Sequence, residues 1–517
     1  MAGRTWRRVM AVREFCLIQE DPQEVLRALR SGESTVLEDA TDEPADEFVS
    51  FALAEGLLGR LASRFPDPRQ EPEIPPGVIV AASVAGCFAG LFALYHSGYA
   101  LRSPRLLAQL GLNARLLEPG EGLSRKGTRN PTPFSGDVLR KLLTLTGKKE
   151  SAANQEGGTS WLQWFNEAVG PTCLEHTGQE PNIFALDCTK LTVPLDNDRY
   201  EGSGIVNDDG EIKRGYKLAT LRALLDESGL FVEVRFGPIQ QHDLVLARPL
   251  LTDSPHLRPG SLLLMDRGFL DGSLIAKLKE HRGVDCVIPL RCNMTAATEA
   301  IALTCDDDWQ PHPSVDEEQV QLVEDVGHLW EECSVPLNAC VIRRADEHGQ
   351  SQHWVIVTTR LHLSAPYIAK SYALRWELEE DYRQLKDQGW NLDQFTSTKR
   401  GTLLYHIVCV LIAYNIYQVY THTEHGRRFA HKSRRSWRLQ RHKDPRTYLL
   451  LATPTAYAMR CSSATSRSGF TSSPYAGPAP PASDDLSESQ NPTTHSPRKT
   501  PRDIGCRPAI PRAAPYS

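Results

Sequence analysis

Among the twelve cysteines there is no Cys-X-X-Cys pair and no Cys/His cluster at zinc spacing, which excludes a structural zinc centre of the finger or ribbon kind. The thiols are expected to be reduced and mostly buried, as in a cytoplasmic protein. No apolar run followed by a cleavage site opens the chain, so no secretory signal is expected. Net positive charge is missing as well: 58 Lys+Arg stand against 64 Asp+Glu, a formal charge of −6, which on average argues against a nucleic-acid partner. Long apolar runs are few. The run at 78–95, VIVAASVAGCFAGLFALY, is free of charge and just long enough to span a bilayer. It is diluted by Ala, Gly, Ser and Cys, and no positive cluster flanks it. A helix buried between neighbours accounts for those small residues equally well, and no membrane partner is expected.

What is present is a soluble-type composition, 40% hydrophobic and 24% charged, over 517 residues. That length predicts two to four domains. Residues 1–175 read as a helical N-terminal region. The stretch 47–65 has apolar residues at helical spacing, and so does 104–117 after Ser103 as N-cap. A helix-turn-helix fits here, but no recognition helix can be singled out. Residues 120–135 and Gly157-Gly158 read as loops or linkers. From 183 to 266 short β-rich runs take over: IFALD, KLTV, YKLATLRALL, LFVEVRF and SLLLMD. Further runs follow at 286–290, 320–323, 339–345 and 353–359, the last two flanking the turn Asp346-Glu347-His348-Gly349. A helix is predicted from about Pro366 to Gly389, with proline in its first turn and glycine past its end. A second, almost wholly apolar helix over 403–420 should lie in the core. Beyond 455 the chain is rich in Ser, Pro, Thr and Ala, and the tail 455–517 is expected to be disordered.

The average charge hides an asymmetry. Residues 20–47 and 306–332 are acidic, whereas Arg427, Arg428, Lys432, Arg434, Arg435, Arg438, Arg441, Lys443 and Arg446 face one acid, Asp444. The basic segment 426–450 could neutralise several backbone phosphates. A solvated basic tail has the same composition.

Three sets of residues carry chemistry. At about 100° per residue, Tyr372, Arg375, Glu379 and Lys386 fall on one helical stripe about 60° wide, with Leu374, Leu378 and Leu385 on the opposite side. The bland alternative is a surface helix with an Arg375–Glu379 pair worth a few tenths of a kcal/mol. Asp187 and Asp266 each end a short apolar run, IFALD and LLLMD. Buried strands ending in an acid place it at a sheet edge, where α/β proteins build sites; a turn or cap aspartate is the alternative for each. Trp376 lies close to the polar stripe, and a core position is the bland reading for it. Lys217 reads as a solvent-facing strand lysine, and His242-Asp243, which invites a metal or acid/base reading, as a loop feature.

Two strand-borne aspartates followed by Tyr372, Arg375, Glu379 and Lys386 at this spacing resemble the DDE insertion-sequence transposases, in particular the group named after insertion sequence four. The blocks at 214–243 and 263–269 and the pair Thr358-Thr359 are similar too. The resemblance covers roughly 180–425.

It implies an α/β fold, a ribonuclease-H-like mixed sheet flanked by helices. The catalytic domain would span 176–425, interrupted by a β-rich insertion domain at about 286–361. It implies Asp187, Asp266 and Glu379 as catalytic and metal-binding acids for two Mg²⁺ ions (Mn²⁺ as substitute), Asp187 bridging both. It further implies Tyr372, Arg375, Lys386 and Trp376 as DNA contacts, residues 1–175 in DNA-end binding, and double-stranded DNA (element ends and target) as partner. The expected protein is a homodimer on DNA, cytoplasmic in a bacterium and nucleoid-associated when bound. Its expected activity is metal-dependent phosphodiester hydrolysis and strand transfer, that is, cut-and-paste transposition. The alternative is an inactive or truncated remnant that only binds DNA.

Overall fold

The structure, a computed structural model, describes residues 17–18, 36–41, 44–91, 93–101, 104–112, 134–153, 157–225, 228–345, 351–423, 447–452 and 457–458. Two strands, β1 (Leu17–Ile18) and β2 (Val36–Thr41), lie inside the region expected to be helical. The helices α1 (Pro44–Ala54), α2 (Leu57–Ser63), α3 (Pro76–Ala89), α4 (Pro104–Gln109), α5 (Gly136–Ala152), α6 (Thr159–Trp164) and α7 (Gly170–His176) follow. Most of the 104–117 segment after α4 lies outside the described residues, as do 120–133.

The apolar run near residue 80 folds as α3, buried on every side from Gly77 to Phe88. With 14 residues it is shorter than the ~20 a span requires, and Gly90, at φ 71°, closes it. Its small residues let neighbours approach closely: a Cβ on Gly86 would lie 3.1 Å from the Cβ of Ser97.

The main sheet holds ten strands. They are β3 (Ile183–Val193), β4 (Gly204–Asp208), β5 (Glu211–Leu224), β6 (Gly229–Pro238), β7 (Leu262–Met265), β8 (Asp285–Pro289), β9 (Gln310–Pro311), β10 (Glu318–Val323), β11 (Asn338–Ala345) and β12 (Ser351–Thr358). The spatial order is β4-β5-β3-β7-β8-β12-β11-β10-β9, with β6 also beside β5. Strands β3, β5 and β6 form an antiparallel meander. Strands β7 and β8 then add in parallel on the far side of β3. Parallel neighbours need crossovers, supplied by α8 (Asp243–Thr252) before β7 and α9 (Gly272–Arg282) before β8.

The stretch 286–361, expected as a separate insertion, has no sheet of its own. Strand β12 pairs antiparallel with β8, and β11, β10 and β9 extend the same sheet outward. The short helix α10 (Thr295–Ala302) packs against β11 and β12. The turn read at 346–349 lies outside the described residues, although the strands on either side pair as a hairpin.

Alternation along the strands divides the core into two layers. Phe184 and Leu186 of β3 face one cluster together with Leu250, Leu274 and Ile275 of α8 and α9. Ala185 faces the other, which holds α3 and the three helices after the sheet, α11 (Ala365–Ala373), α12 (Arg375–Asp387) and α13 (Arg400–Thr421). The predicted helix 366–389 is therefore two helices meeting at Leu374, and Gly389 (φ 86°) follows the second. Helix α13 is long and apolar enough to cross a membrane, but it is buried within the core, as the 403–420 reading expects. Asn415, near its middle, accepts from the Phe231 N–H (3.0 Å) and donates to the Phe231 carbonyl (2.8 Å). Asn166 treats Val234 in the same way. Two side-chain amides thus satisfy the outer edge of β6, which would otherwise invite pairing.

Strand β13 (Thr447–Ala452) pairs antiparallel with β1, with β2 and with β14 (Tyr457–Ala458). Part of the segment expected to be only basic (426–450), and two residues of the tail expected to be disordered, are therefore strands. Residues 424–446 and 459–517, with the remainder of those two expectations, lie outside the described residues.

Candidate active site

Parallel pairing brings two of the acids side by side. Leu186 of β3 is in register with Met265 of β7, so the next residues, Asp187 and Asp266, are neighbours where the paired stretch ends. Alternation sends Asp187 to the face of Ala185, the side covered by α12. Asp187 Oδ1 accepts from the Cys188 N–H (2.7 Å). Asp266 accepts from the Arg267 N–H (2.6 Å) and so caps the short 3₁₀ turn Arg267–Phe269. The cap reading is correct for Asp266, and it leaves the carboxylate half-buried beside Asp187.

Helix α12 supplies the third acid. Its Leu378 and Leu385 are fully buried in the core, as the leucine face predicts, and this turns Glu379 toward β3. Between Glu379 and Asp187 lies the guanidinium of Arg375, itself buried. Its Nη2 is 2.6 Å from Glu379 Oε1, and its Nη1 is 3.6 Å from Asp187 Oδ2. Arg375 Nε donates to the Tyr372 hydroxyl (3.1 Å), and the guanidinium carbon lies 5.3 Å from the centre of the Tyr372 ring. Burial pushes the Asp187 carboxyl up to about 7; Arg375 opposes this, while Asp266 and Glu379 add to it. Burial raises the Tyr372 hydroxyl to about 12. The field of Tyr372 and the three acids holds Arg375 protonated, above its ordinary range, against the cost of burial. As the side chains stand, no group of three or more His, Cys, Asp or Glu among the described residues is close enough to hold a metal ion. A protein cation already sits among the acids.

Lys386, expected as a phosphate contact, points to the strand. Its Nζ donates to Thr189 Oγ1 (2.5 Å) and to the Lys190 carbonyl (2.8 Å), and burial lowers its pKa. It thus ties the end of α12 to β3. Trp376 is 45% exposed, which settles its choice of face: it is not core. Lys217 differs from expectation. It is buried, ion-paired with Asp243, and donates to the Gln241 carbonyl (2.6 Å). His242 caps α8 by accepting from the Leu244 N–H, a loop role as expected.

Sequence reasoning missed the residues that hold α12 to the sheet. Tyr382, one turn after Leu378, donates to the Asp187 main-chain carbonyl (3.2 Å) and shares a 2.5 Å hydrogen bond with Thr220 of β5. Arg222 of β5 lies 2.6 Å from Asp381 and 3.3 Å from Glu377, and the Tyr414 hydroxyl of α13 donates to Asp381 (2.5 Å). One signal was visible: an arginine within the run LATLRALL, where Thr220 is the only other polar residue, on a strand that buries both faces.

Two comparisons bear on this arrangement. The chain matches no curated protein. Residues 178–416, which carry all three acids and the helix with Tyr372, Arg375 and Lys386, match the family model described as Transposase DDE domain. That match supports a DDE transposase, a nuclease and transposase whose partner is DNA.

Proposed function

We propose that the chain is a cut-and-paste transposase of the group named after insertion sequence four, with Asp187, Asp266 and Glu379 as its catalytic acids. The observation that carries this reading is the approach of the three acids to one guanidinium where the β3–β7 pairing ends. The strand order β6-β5-β3-β7-β8, an antiparallel meander followed by two parallel strands, supports a ribonuclease-H-like core. On this reading residues 176–425 are catalytic. Residues 1–175 engage the DNA ends, and the basic run 426–450 meets backbone phosphates. The protein works as a homodimer on double-stranded DNA.

The donor set fits a hard divalent cation. It consists of carboxylate oxygens that Mg²⁺ prefers, and Asp187 is buried and destabilised as an anion by its two neighbours. Asp187, Asp266 and Glu379 would hold two Mg²⁺ ions, or Mn²⁺ in their place. Bound there, the ions supply Lewis-acid stabilisation for in-line displacement at phosphorus. The chain's own groups do the rest. Arg375, charged at every accessible pH, offers a planar donor fork for a phosphate beside the scissile bond. The Tyr372 hydroxyl, kept protonated, donates toward the same strand. Lys386 fixes α12 against β3 and retains a further ammonium proton for DNA. Exposed Trp376, one residue from Arg375, is placed to stack on an extruded base.

The test is cleavage of DNA carrying the element ends, with Mg²⁺ or Mn²⁺. Asp187→Ala, Asp266→Ala and Glu379→Ala should each abolish nicking while end-binding persists. Nicking that survives all three changes refutes the assignment. A wild-type protein that binds ends but never nicks them selects the DNA-binding remnant instead.

A further inference from the structure

Arg375 is placed where a cation among the three acids belongs. It is one of the few charged side chains buried almost completely, 3% exposed. Its two terminal nitrogens face two different acids on two different elements, Glu379 on α12 and Asp187 on β3. Asp266 also acts on it through space. The Nη1 nitrogen is buried and lacks a hydrogen-bond acceptor, its closest acid oxygen standing 3.6 Å away. A buried guanidinium with an unused donor is bound by charge rather than by geometry, and unsatisfied buried donors are costly. The third nitrogen, Nε, is held by the Tyr372 hydroxyl, outside the acid cluster, so one anchor of the side chain does not depend on the acids.

We infer that Arg375 is a built-in counter-ion that closes the acid cluster in the metal-free protein, and that it must leave Asp187 and Glu379 before a divalent cation can enter. The inference rests on the proposed assignment of the three acids. It explains why no metal-binding group of three is assembled among the described residues while three acids converge. Removing the guanidinium frees Asp187 and Glu379 to turn toward each other's charge only if a cation replaces it, because like charges about 4 Å apart repel by several kcal/mol without one. Tyr372 is the pivot: it keeps Nε while Nη1 and Nη2 let go, so the fork swings as a unit and arrives oriented for a phosphate.

The consequence is a measurable cost on metal affinity. Apparent affinity is reduced by the fraction of protein in the competent state. The full-length protein without DNA, titrated with Mn²⁺ by calorimetry or by the paramagnetic resonance of free Mn²⁺, gives that affinity directly. Arg375→Gln should bind Mn²⁺ about tenfold or more tightly than the wild type, even though it loses DNA cleavage. Affinity equal to or below wild type overturns the inference. Should the glutamine variant fail to fold, Arg375→Met, which keeps the apolar stem and removes the charge, serves in its place: its Mn²⁺ affinity should also exceed wild type, and an unchanged or weaker value overturns the inference. Asp187→Asn in the same titration separates the two levels. If it loses Mn²⁺ while Arg375→Gln matches the wild type, the acid site stands and the counter-ion role falls. If wild type, Arg375→Gln and Asp187→Asn all bind alike, the acids are not the metal site and both readings fail.

Discussion

The Tyr382 hydroxyl of α12 donates to the main-chain carbonyl of Asp187, 3.2 Å away. The helix that carries Glu379 is therefore bonded to the backbone of the residue whose side chain Glu379 faces. A hydroxyl has one proton, and Tyr382 spends it on that carbonyl, so Thr220 Oγ1 must donate to Tyr382. The distance of α12 from the β3 backbone at Asp187 is thus set in part by a rigid, buried ring, not by flexible carboxylates alone.

Tyr382→Phe keeps the ring and removes both hydrogen bonds, leaving the Thr220 hydroxyl and the Asp187 carbonyl buried without this partner. A loss of about 1–3 kcal/mol is expected in urea unfolding. Cleavage should fall as well, because Asp187 loses its register with Glu379; an unchanged melt and unchanged cleavage would show that the contact positions nothing.

Arg222 and Asp381 form a buried ion pair at 2.6 Å, with Tyr414 donating to Asp381 and Glu377 on the far side of the guanidinium. Removing one partner strands the other charge, so Arg222→Met should destabilise by about 3–5 kcal/mol. Replacing both, as Arg222→Met with Asp381→Leu, should recover much of that loss, since an apolar pair bears no desolvation cost. Chemical denaturation of the two singles and the double decides the matter: additive losses would mean that the two residues do not interact.

Some of this architecture was legible in the chain. The run LLLMD ends in an acid because β7 ends at Met265, whereas β3 runs on past Asp187 to Val193 and only its pairing with β7 stops at Leu186; period-2 alternation alone puts Asp187 on the side of Ala185. The leucine stripe of α12 likewise fixes which way Glu379 turns. Other features depend on pairing that one segment cannot display. The β-rich stretch after β8 reads as a separate body because its strands are short and set apart by helices and loops. Only the β12–β8 ladder, joining Thr358 to Val287 across some seventy residues of chain, makes it one sheet. Lys217 reads as solvent-facing because an isolated strand lysine is rarely buried. Its partner Asp243 lies 26 positions later, and a sequence does not announce that pairing. Arg375 was visible as part of a polar stripe, but that it faces two acids at once depends on β3 lying across from α12.

The raised carboxyl of Asp187 makes a pH prediction. Its folded value, about 7, lies above the ordinary value of 3.8, so the folded state binds this proton more tightly than the unfolded chain. Its contribution to stability is full below about pH 4 and is lost as pH rises through about 7. In metal-free buffer the melting temperature of the wild type relative to Asp187→Asn should therefore fall between pH 5 and 8. Comparing the two proteins cancels the buried histidines, which titrate in the opposite sense in both. A difference independent of pH would mean that Asp187 is ionised throughout that range.

Trp376 separates a DNA role from a structural one. It is 45% exposed, unlike its neighbour Arg375 and unlike Leu378 two positions later, and surface changes usually alter stability by no more than about 0.5 kcal/mol. Trp376→Ala should therefore melt with the wild type while weakening the processing of element ends, because stacking one base on an aromatic contributes about 1–3 kcal/mol. Trp376→Phe retains a ring and should recover a large part of the activity, whereas Trp376→Leu, apolar but without a π face, should not. A base analogue that fluoresces when unstacked, placed at the element terminus, reads the contact directly: its signal should stay high with the alanine variant and be quenched with wild type and phenylalanine. If leucine quenches as well as phenylalanine, the residue is only filling space, and the base is held by something other than an aromatic face.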